Sequence, residues 1–300
     1  MHFTCIVTCY NREIEIARAI QSILDQSHQD FEILLVDDCS TDNSVMIVEG
    51  FNSSKIRIIR HNVNQGQNAA LNTGIDNANY DFLAFLDSDD TWEPDYLREM
   101  QQTYVEHPEA AFVYCSLVNG PQWTLEGAYK YPDVLNQGYL SSMISITAKK
   151  SVVKSIDGFD LRYKICQDDD FCFRLAKHHS FKVIKKQLAH VHGATNSMTR
   201  NQIEVAKGWN FLFDDYKKDI LVFCGARTYA RHMLNVSIQY FNCNEMVAGF
   251  KCYAKAVYFF LKPSNNLFPF TVKDFFILNK KLLSIFIRKG KRVFIKQKND

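Results

Sequence analysis

Short apolar runs separated by polar turns mark the first hundred residues, at 3–8, 31–36, 56–59 and 82–86. Each is rich in β-branched or aromatic side chains and lacks in-out alternation, the pattern of a strand buried on both faces. Helix-length segments lie between them. Residues 13–26 place Ile16, Ala19, Ile20, Ile23 and Leu24 at i, i+3, i+4 spacing, and 65–78 and 94–107 also read as helices, the last with Pro94 in its first turn. This alternation predicts a parallel, doubly wound sheet with right-handed crossovers. A fifth strand is expected at 111–116. Residues 120–138 read as an aromatic loop containing Gly and Pro. Regular structure resumes at 141–155 and 170–178, and the chain beyond Arg200 reads as helical. The division expected is an α/β domain over 1–200, its mostly parallel sheet flanked by helices, and a helical region over 201–300.

Polar clusters follow three of the strands directly: Thr8-Cys9-Tyr10-Asn11, Asp37-Asp38 and Asp87-Ser88-Asp89-Asp90. In open α/β sheets, ligands bind outside the carboxyl ends of the strands. Any one cluster is explained by turn and helix-cap preferences. Five acids gathered along one sheet edge are harder to explain that way, because their repulsion is costly without a cation or donor groups.

The runs TCYNR, LLVDDCSTDNS and NQGQNAALNTGIDNANYDFLAFLDSDD, followed by DGFD at 157–160 and CQDDDFCFRLA at 166–176, resemble the successive motifs of glycosyltransferase family 2, which has the GT-A fold. The likeness ends near HVHGATNSMTR and covers about two-thirds of the chain. It implies a single displacement that inverts the sugar: an acceptor hydroxyl attacks the anomeric carbon while a carboxylate removes its proton. Position by position, Asp38 would accept a hydrogen bond from the base, Tyr10 would stack on it, and Thr8 would line the same pocket. A uracil or thymine N–H suits a carboxylate acceptor, with uracil favoured. Asp87 and Asp89 form the D-x-D of a Mn²⁺ or Mg²⁺ site. Asp89 is the expected direct ligand, and Asp87 is expected on the ribose or a coordinated water. The ion would offset charge growing on the departing diphosphate. His192 matches a histidine near the diphosphate and is placed with the metal. Asp168 matches the catalytic base. Gln167 departs from the usual Glu, and the run Asp168-Asp169-Asp170 leaves the register of the base open.

His-x-His at 190 and 192 would put both rings on one face of a strand; His190 is expected only to pack or hydrogen-bond. Cys5, Cys9, Cys166 and Cys172 read as packing residues. Nine cysteines without a C-x-x-C pair make a zinc knuckle or disulfide framework improbable and favour a reducing compartment. No signal peptide and no apolar run of roughly 20 residues is seen.

Charge changes the picture for the last fifty residues. They carry twelve Lys or Arg against Asp274 and Asp300, or +10, which leaves −8 on the rest of a chain whose net charge is +2. FFILNKKLLSIFIRKGKRVFIK reads as a basic amphipathic stretch suited to an anionic membrane surface. Taken with the family resemblance, which implies a nucleotide-sugar donor and a saccharide or lipid-linked acceptor, this leads us to expect an enzyme of the cytoplasm, peripheral on the inner face of the membrane. Nucleic acid is disfavoured because the body is acidic and no nucleic-acid module appears. A dehydrogenase or P-loop NTPase would need glycine-rich turns this chain lacks. A sugar nucleotidyltransferase, or a non-catalytic sugar- or nucleotide-binding module, is the alternative. The Q-x-x-R-W of processive synthases is absent, which favours transfer of one sugar.

Overall fold

In the computed structural model, strand β1 (Phe3–Cys9) is buried along its length between β2 (Phe31–Asp37) and β4 (Phe82–Asp87), parallel to both. The structure describes residues 1–118, 130–138, 142–192, 200–262 and 270–296, with side chains excluded at 283 and 286–296. These form two compact units, one of residues 1–134 and 139–197 and the other of 135–138 and 198–300.

The first unit is built on one eight-stranded sheet. With β3 (Ile56–Arg60), β5 (Thr91–Trp92), β6 (Phe112–Leu117), β7 (Ile146–Lys149) and β8 (Phe181–His190), its order is β3-β2-β1-β4-β7-β6-β8-β5. β2–β3 and β6–β8 pair in parallel, while β7 runs antiparallel to β4 and β6, and β5 antiparallel to β8. The sheet is therefore mixed, with its parallel core at the N-terminal half. Helices α1 (Ile16–Leu24), α2 (Ser44–Glu49), α3 (Gln67–Asn77) and α4 (Tyr96–Glu106) connect the first six strands. The three helices expected from periodicity all form, each shorter by a residue or more at both ends. α1 buries Ile16, Ala19, Ile20 and Ile23, the stripe its spacing announces. α3 comes close to β1 at Gly74, where a Cβ would lie 2.5 Å from the Ile6 methyl.

Three elements depart from expectation. Helix α5 (Tyr131–Gln137) stands inside the segment read as loop; at seven residues it is too short to show a period, and Pro132 in its first turn looks like a breaker. The two-residue β5 has no pattern to read. β8 runs for ten residues through KVIKKQ, whose lysines face outward beside its buried ends. The expected regular segments at 141–155 and 170–178 become a 3₁₀ turn, β7 and α6 (Lys150–Ser155), then α7 (Gln167–His178).

The second unit is helical: α8 (Gln202–Asp215), α9 (Lys217–Phe223), α10 (Ala226–Asn242), α11 (Met246–Leu261) and α12 (Val272–Lys296). α10 is its centre. There His232 stacks on Phe213 at 4.2 Å and its Nε2 meets the Leu135 carbonyl at 2.9 Å. Burial pushes this imidazole down to about 3, so it is a neutral packing residue.

Candidate active site

The loops after β1 and β2 are stitched together by side chains from both. Asn11, at φ 52°, accepts from the Thr41 N–H at 2.8 Å and donates its own N–H to Ser40 Oγ at 3.0 Å. Arg12 N–H donates to Ser44 Oγ at 2.7 Å and Glu13 N–H to Asp42 at 3.0 Å, while Glu13 accepts from Asn43. The polar residues of NRE and STDNS thus satisfy backbone donors that a buried turn would otherwise orphan. They hold Tyr10 outward, 46 % exposed, directly beyond the buried Thr8.

The paired acids after β2 have separate partners. Asp37 is fully buried, accepts from the Ser40 N–H and pairs with Arg60 at 3.4 Å. Asp38 is 3 % exposed; its Oδ1 meets His61 Nδ1 at 2.7 Å and the Gln65 N–H at 2.9 Å, and its Oδ2 takes the Gly66 N–H at 2.7 Å. His61 in turn reaches Thr73 through Nε2 at 2.9 Å. A carboxylate offers about four acceptor positions, so three donors leave one on Oδ2.

Strand register sets Thr8 beside Asp87 at the ends of β1 and β4. Asp87 accepts from Gln67 Nε2 at 2.7 Å, and Gln67 Oε1 accepts from Gln167 Nε2 at 3.3 Å. This chain links the acid after β4 to the first residue of α7, where the next residue is Asp168. Burial, then the charges of Asp168, Asp90 and Asp89, push the Asp87 carboxyl well above the usual range, with Arg12 opposing. Asp168 Oδ2 accepts from the Met143 N–H at 3.0 Å, and burial raises its carboxyl to about 6 despite that bond. The geometry therefore brings Asp87 and Asp168 together from distant parts of the chain.

The neighbours of Asp168 differ from it. Asp170 is 2 % exposed and its Oδ2 takes Nε and Nη2 of Arg174 at 2.9 and 2.7 Å. Arg174 Nη1 also donates to the Ile156 and Gly158 carbonyls at 2.6 Å. Asn72 closes the same turn, exchanging bonds with the Phe159 backbone at 2.7 and 2.8 Å, and Asn68 donates to the Asp160 and Tyr163 carbonyls. Gly158, at φ +65°, has no room for a Cβ, which would sit 2.4 Å from Asn72 Oδ1. DGFD and the asparagines of α3 are thus a clamp that fixes the start of α7. Asp169 is buried at 7 %.

Asp89 offers its carbonyl to Arg18 at 2.6 Å. Asp90 Oδ1 accepts from the His192 N–H at 2.8 Å, and His192 Nε2 meets Thr91 Oγ1 at 2.7 Å. Burial, Arg18 and His190 lower the His192 imidazole while Asp89 raises it. His190 is hydrogen-bonded to Glu93 and stacks on His192 with centroids 5.8 Å apart. Thr91, Glu93, His190 and His192, with Arg18, Trp92 and Pro94, line an open cleft of about 420 Å³.

Among the described residues, no three His, Cys, Asp or Glu side chains are grouped to hold a metal alone. The donor set does fit an ion that arrives with its ligand. Mg²⁺ and Mn²⁺ favour oxygen donors, and Mg²⁺ characteristically takes one or two carboxylates plus substrate phosphates. The mutual repulsion among the acids after β4 is of the sign a cation would relieve. The four cysteines read as packing residues are all buried, and burial raises each thiol, Cys9 to about 11. His61, Gln67 and Met143 were not singled out by sequence reasoning. His61 follows a strand directly, the signal that marked the acids; Gln67 lies within a quoted motif; Met143 acts through its backbone and leaves no trace in sequence.

Residues 4–184 match glycosyl transferase family 2. A UDP-Glc:alpha-D-GlcNAc-diphosphoundecaprenol beta-1,3-glucosyltransferase of Escherichia coli, WfgD, is 37 % identical over 109 residues, covering 36 % of this chain and 43 % of that one. Staphylococcus aureus TarS residues 1–349, solved with UDP-GlcNAc, superposes with a TM-score of 0.62 at 16 % identity, over 87 % of this chain and 89 % of that one. A mannosyltransferase of Pyrobaculum calidifontis, solved with GDP-Man and Mn²⁺, gives 0.62 at 15 % identity, over 98 % and 82 %. The fold is of the GT-A type.

Proposed function

This chain belongs to glycosyl transferase family 2, and on that premise we propose that it moves one sugar from a uridine diphosphate to a hydroxyl of a growing surface polysaccharide, with inversion. The observation that carries the reading is Asp168, set beside Asp87 at the start of α7 with its carboxyl raised to about 6. A base of that kind is ionised at neutral pH yet a better proton acceptor than an ordinary aspartate. The acceptor oxygen forms its bond to the anomeric carbon as the bond from that carbon to the diphosphate breaks. The hydroxyl proton passes to Asp168. Asp38 takes the N–H of the pyrimidine on the free position of Oδ2, Tyr10 covers the ring, Thr8 lines the same pocket, and Asp87 faces the ribose. A divalent ion would be held by Asp89, with His192 nearby, and would neutralise charge on the leaving diphosphate. Gln67 and Gln167 keep Asp87 turned toward the donor. Catalysis is assigned to residues 1–200.

The acceptor is proposed to be a lipid-linked saccharide, because WfgD is named for a diphosphoundecaprenol substrate. The uracil choice rests on UDP-GlcNAc in TarS and on the single N–H that Asp38 would accept. Among the described residues no helix is long and apolar enough to cross a membrane. The test is thermal unfolding of the full chain with UDP-, TDP- and GDP-sugars, with and without Mn²⁺. A UDP-sugar at 100 times its Kd should add about 2.7 kcal/mol in the presence of Mn²⁺. Stabilisation by none of the panel would end the proposal, and a preference for GDP-sugars would move the base assignment away from Asp38.

A further inference from the structure

The second unit presents apolar side chains where a solvated helix would present polar ones. Tyr253 of α11 donates to Asn279 of α12 at 2.9 Å, and Phe260 stacks on Phe275 at 4.2 Å, so the two helices run side by side and antiparallel. Their inner sides meet α10: Phe259 packs edge-on against Tyr229, while Leu282 and Ile285 cluster with Phe241. On the outer side, Val247, Tyr258 and Leu261 of α11 are 71, 57 and 74 % exposed. Val272, Phe276 and Ile277 of α12 are 54, 62 and 46 % exposed. At 100° per residue, the α11 stripe centres on the position after Tyr253 and the α12 stripe near the position after Phe275. In an antiparallel pair, stripes turned by the same angle from the line of contact face the same way. The two therefore form one continuous outer surface.

Lysines frame that surface. Lys251 on α11, Lys262 directly after it, and Lys273, Lys280 and Lys281 on α12 are exposed. Asp274 is the only carboxylate from 246 to 296, and it is turned to the start of its own helix, accepting from the Thr271 N–H at 2.9 Å and hydroxyl at 2.8 Å. Monomeric proteins seldom expose a contiguous apolar patch of this kind without a partner for it. A second copy of the chain is a poor partner, because a two-fold contact sets the same patch against itself and would bring lysine to lysine with Asp274 the one carboxylate that α11 and α12 supply. A bilayer carrying anionic headgroups answers both features, since its acyl boundary takes the apolar stripe and its headgroups take the ammonium groups.

We propose that the outer face formed by α11 and α12 docks on an anionic lipid bilayer, lying in the plane of the interface. This stands independently of the sugar-transfer reading, since it uses no residue of the acid cluster. The test is co-sedimentation of the full chain with phosphatidylcholine vesicles, with and without phosphatidylglycerol, at low and high salt. Binding should require phosphatidylglycerol and weaken with salt. Lys280→Gln should weaken it by about fivefold. Leu261→Glu combined with Phe276→Glu should weaken it by about tenfold or more, whereas Val105→Glu, at an exposed apolar site of the first unit, should leave it unchanged. Thermal unfolding of each variant separates loss of docking from loss of fold. The proposal is overturned if the full chain ignores such vesicles at low salt. It is equally overturned if sedimentation equilibrium shows a dimer that Leu261→Glu splits, or if a folded Leu261→Glu, Phe276→Glu protein binds as the parent does.

Discussion

The two units break the rule of apolar inside and polar outside in opposite directions. In the sheet unit, Asp37, Asp38, Asn68 and Asp170 are all at most 8 % exposed. In the helical unit, Val247 and Leu261 are more than 70 % exposed. Buried polar groups and exposed large apolar groups are the informative departures, because exposed apolar atoms in general are common. The first departure is answered within the chain, by named hydrogen bonds from loops and helix starts. The second is answered by nothing among the described residues of its own unit. The difference teaches that the sheet unit is organised around internal chemistry and the helical unit around a surface.

The comparison breaks first at Asp168 if the buried acids turn out to be only structural. Asp168→Asn should lower sugar transfer by roughly 10²–10⁴-fold with donor binding retained. In the parent, transfer should decline as pH falls through about 6, because protonated Asp168 cannot accept the acceptor proton, and Asp168→Asn should remove that limb. A pH–rate profile with transfer near normal in the variant would shift the base to another residue, and Asp169→Asn would be the next to measure.

A structural acid in the same run gives the second prediction. Arg174→Ala takes from buried Asp170 the guanidinium that its Oδ2 accepts from, a change of the kind that costs about 3–5 kcal/mol. Denaturant unfolding should show that loss, together with loosening of the DGFD turn. A cost under about 1 kcal/mol would mean that the clamp does not hold α7, and the contrast between Asp168 and Asp170 would fail. The smallest effect is expected at Asp89. Asp89→Asn should weaken Mn²⁺-dependent binding of a sugar nucleotide by roughly ten- to a hundredfold and leave uridine binding nearly unchanged, as titration calorimetry would show. Equal losses for both would remove Asp89 from the metal.

Much of the first unit was legible because its strands are buried on both faces and its helices carry one clear stripe. β1, β2, β3, β4 and β6 lie within a residue of the positions read from sequence at every end. What escaped has a physical reason in each case. α5 and β5 are shorter than the periods that would reveal them, and the antiparallel course of β7 depends on contacts at long range. At the site, the acids were visible as charges at strand ends, while their partners were not. Gln67 and His61 matter through distance and orientation, and Met143 through its peptide N–H, none of which a residue type encodes. The helical unit showed its charge in the sequence, but the alignment of its two outer stripes required the pairing of Tyr253 with Asn279 and of Phe260 with Phe275.

The raised carboxyl of Asp168 also bears on how evolution and engineering can treat this protein. A group whose folded pKa of about 6 lies above the ordinary 3.8 of a free aspartate binds more protons folded than unfolded between those values, so its contribution to stability is greatest in acid and declines as pH rises through 6. At neutral pH the ionised carboxyl therefore contributes less to stability than its protonated form does in acid, a deficit that, on the proposed reading, donor and cation would offset on arrival. Selection for robustness alone would act against it: a neutral amide at 168 is expected to give a sturdier protein and, on the proposed reading, an inactive one, the trade between stability and activity seen at many working sites.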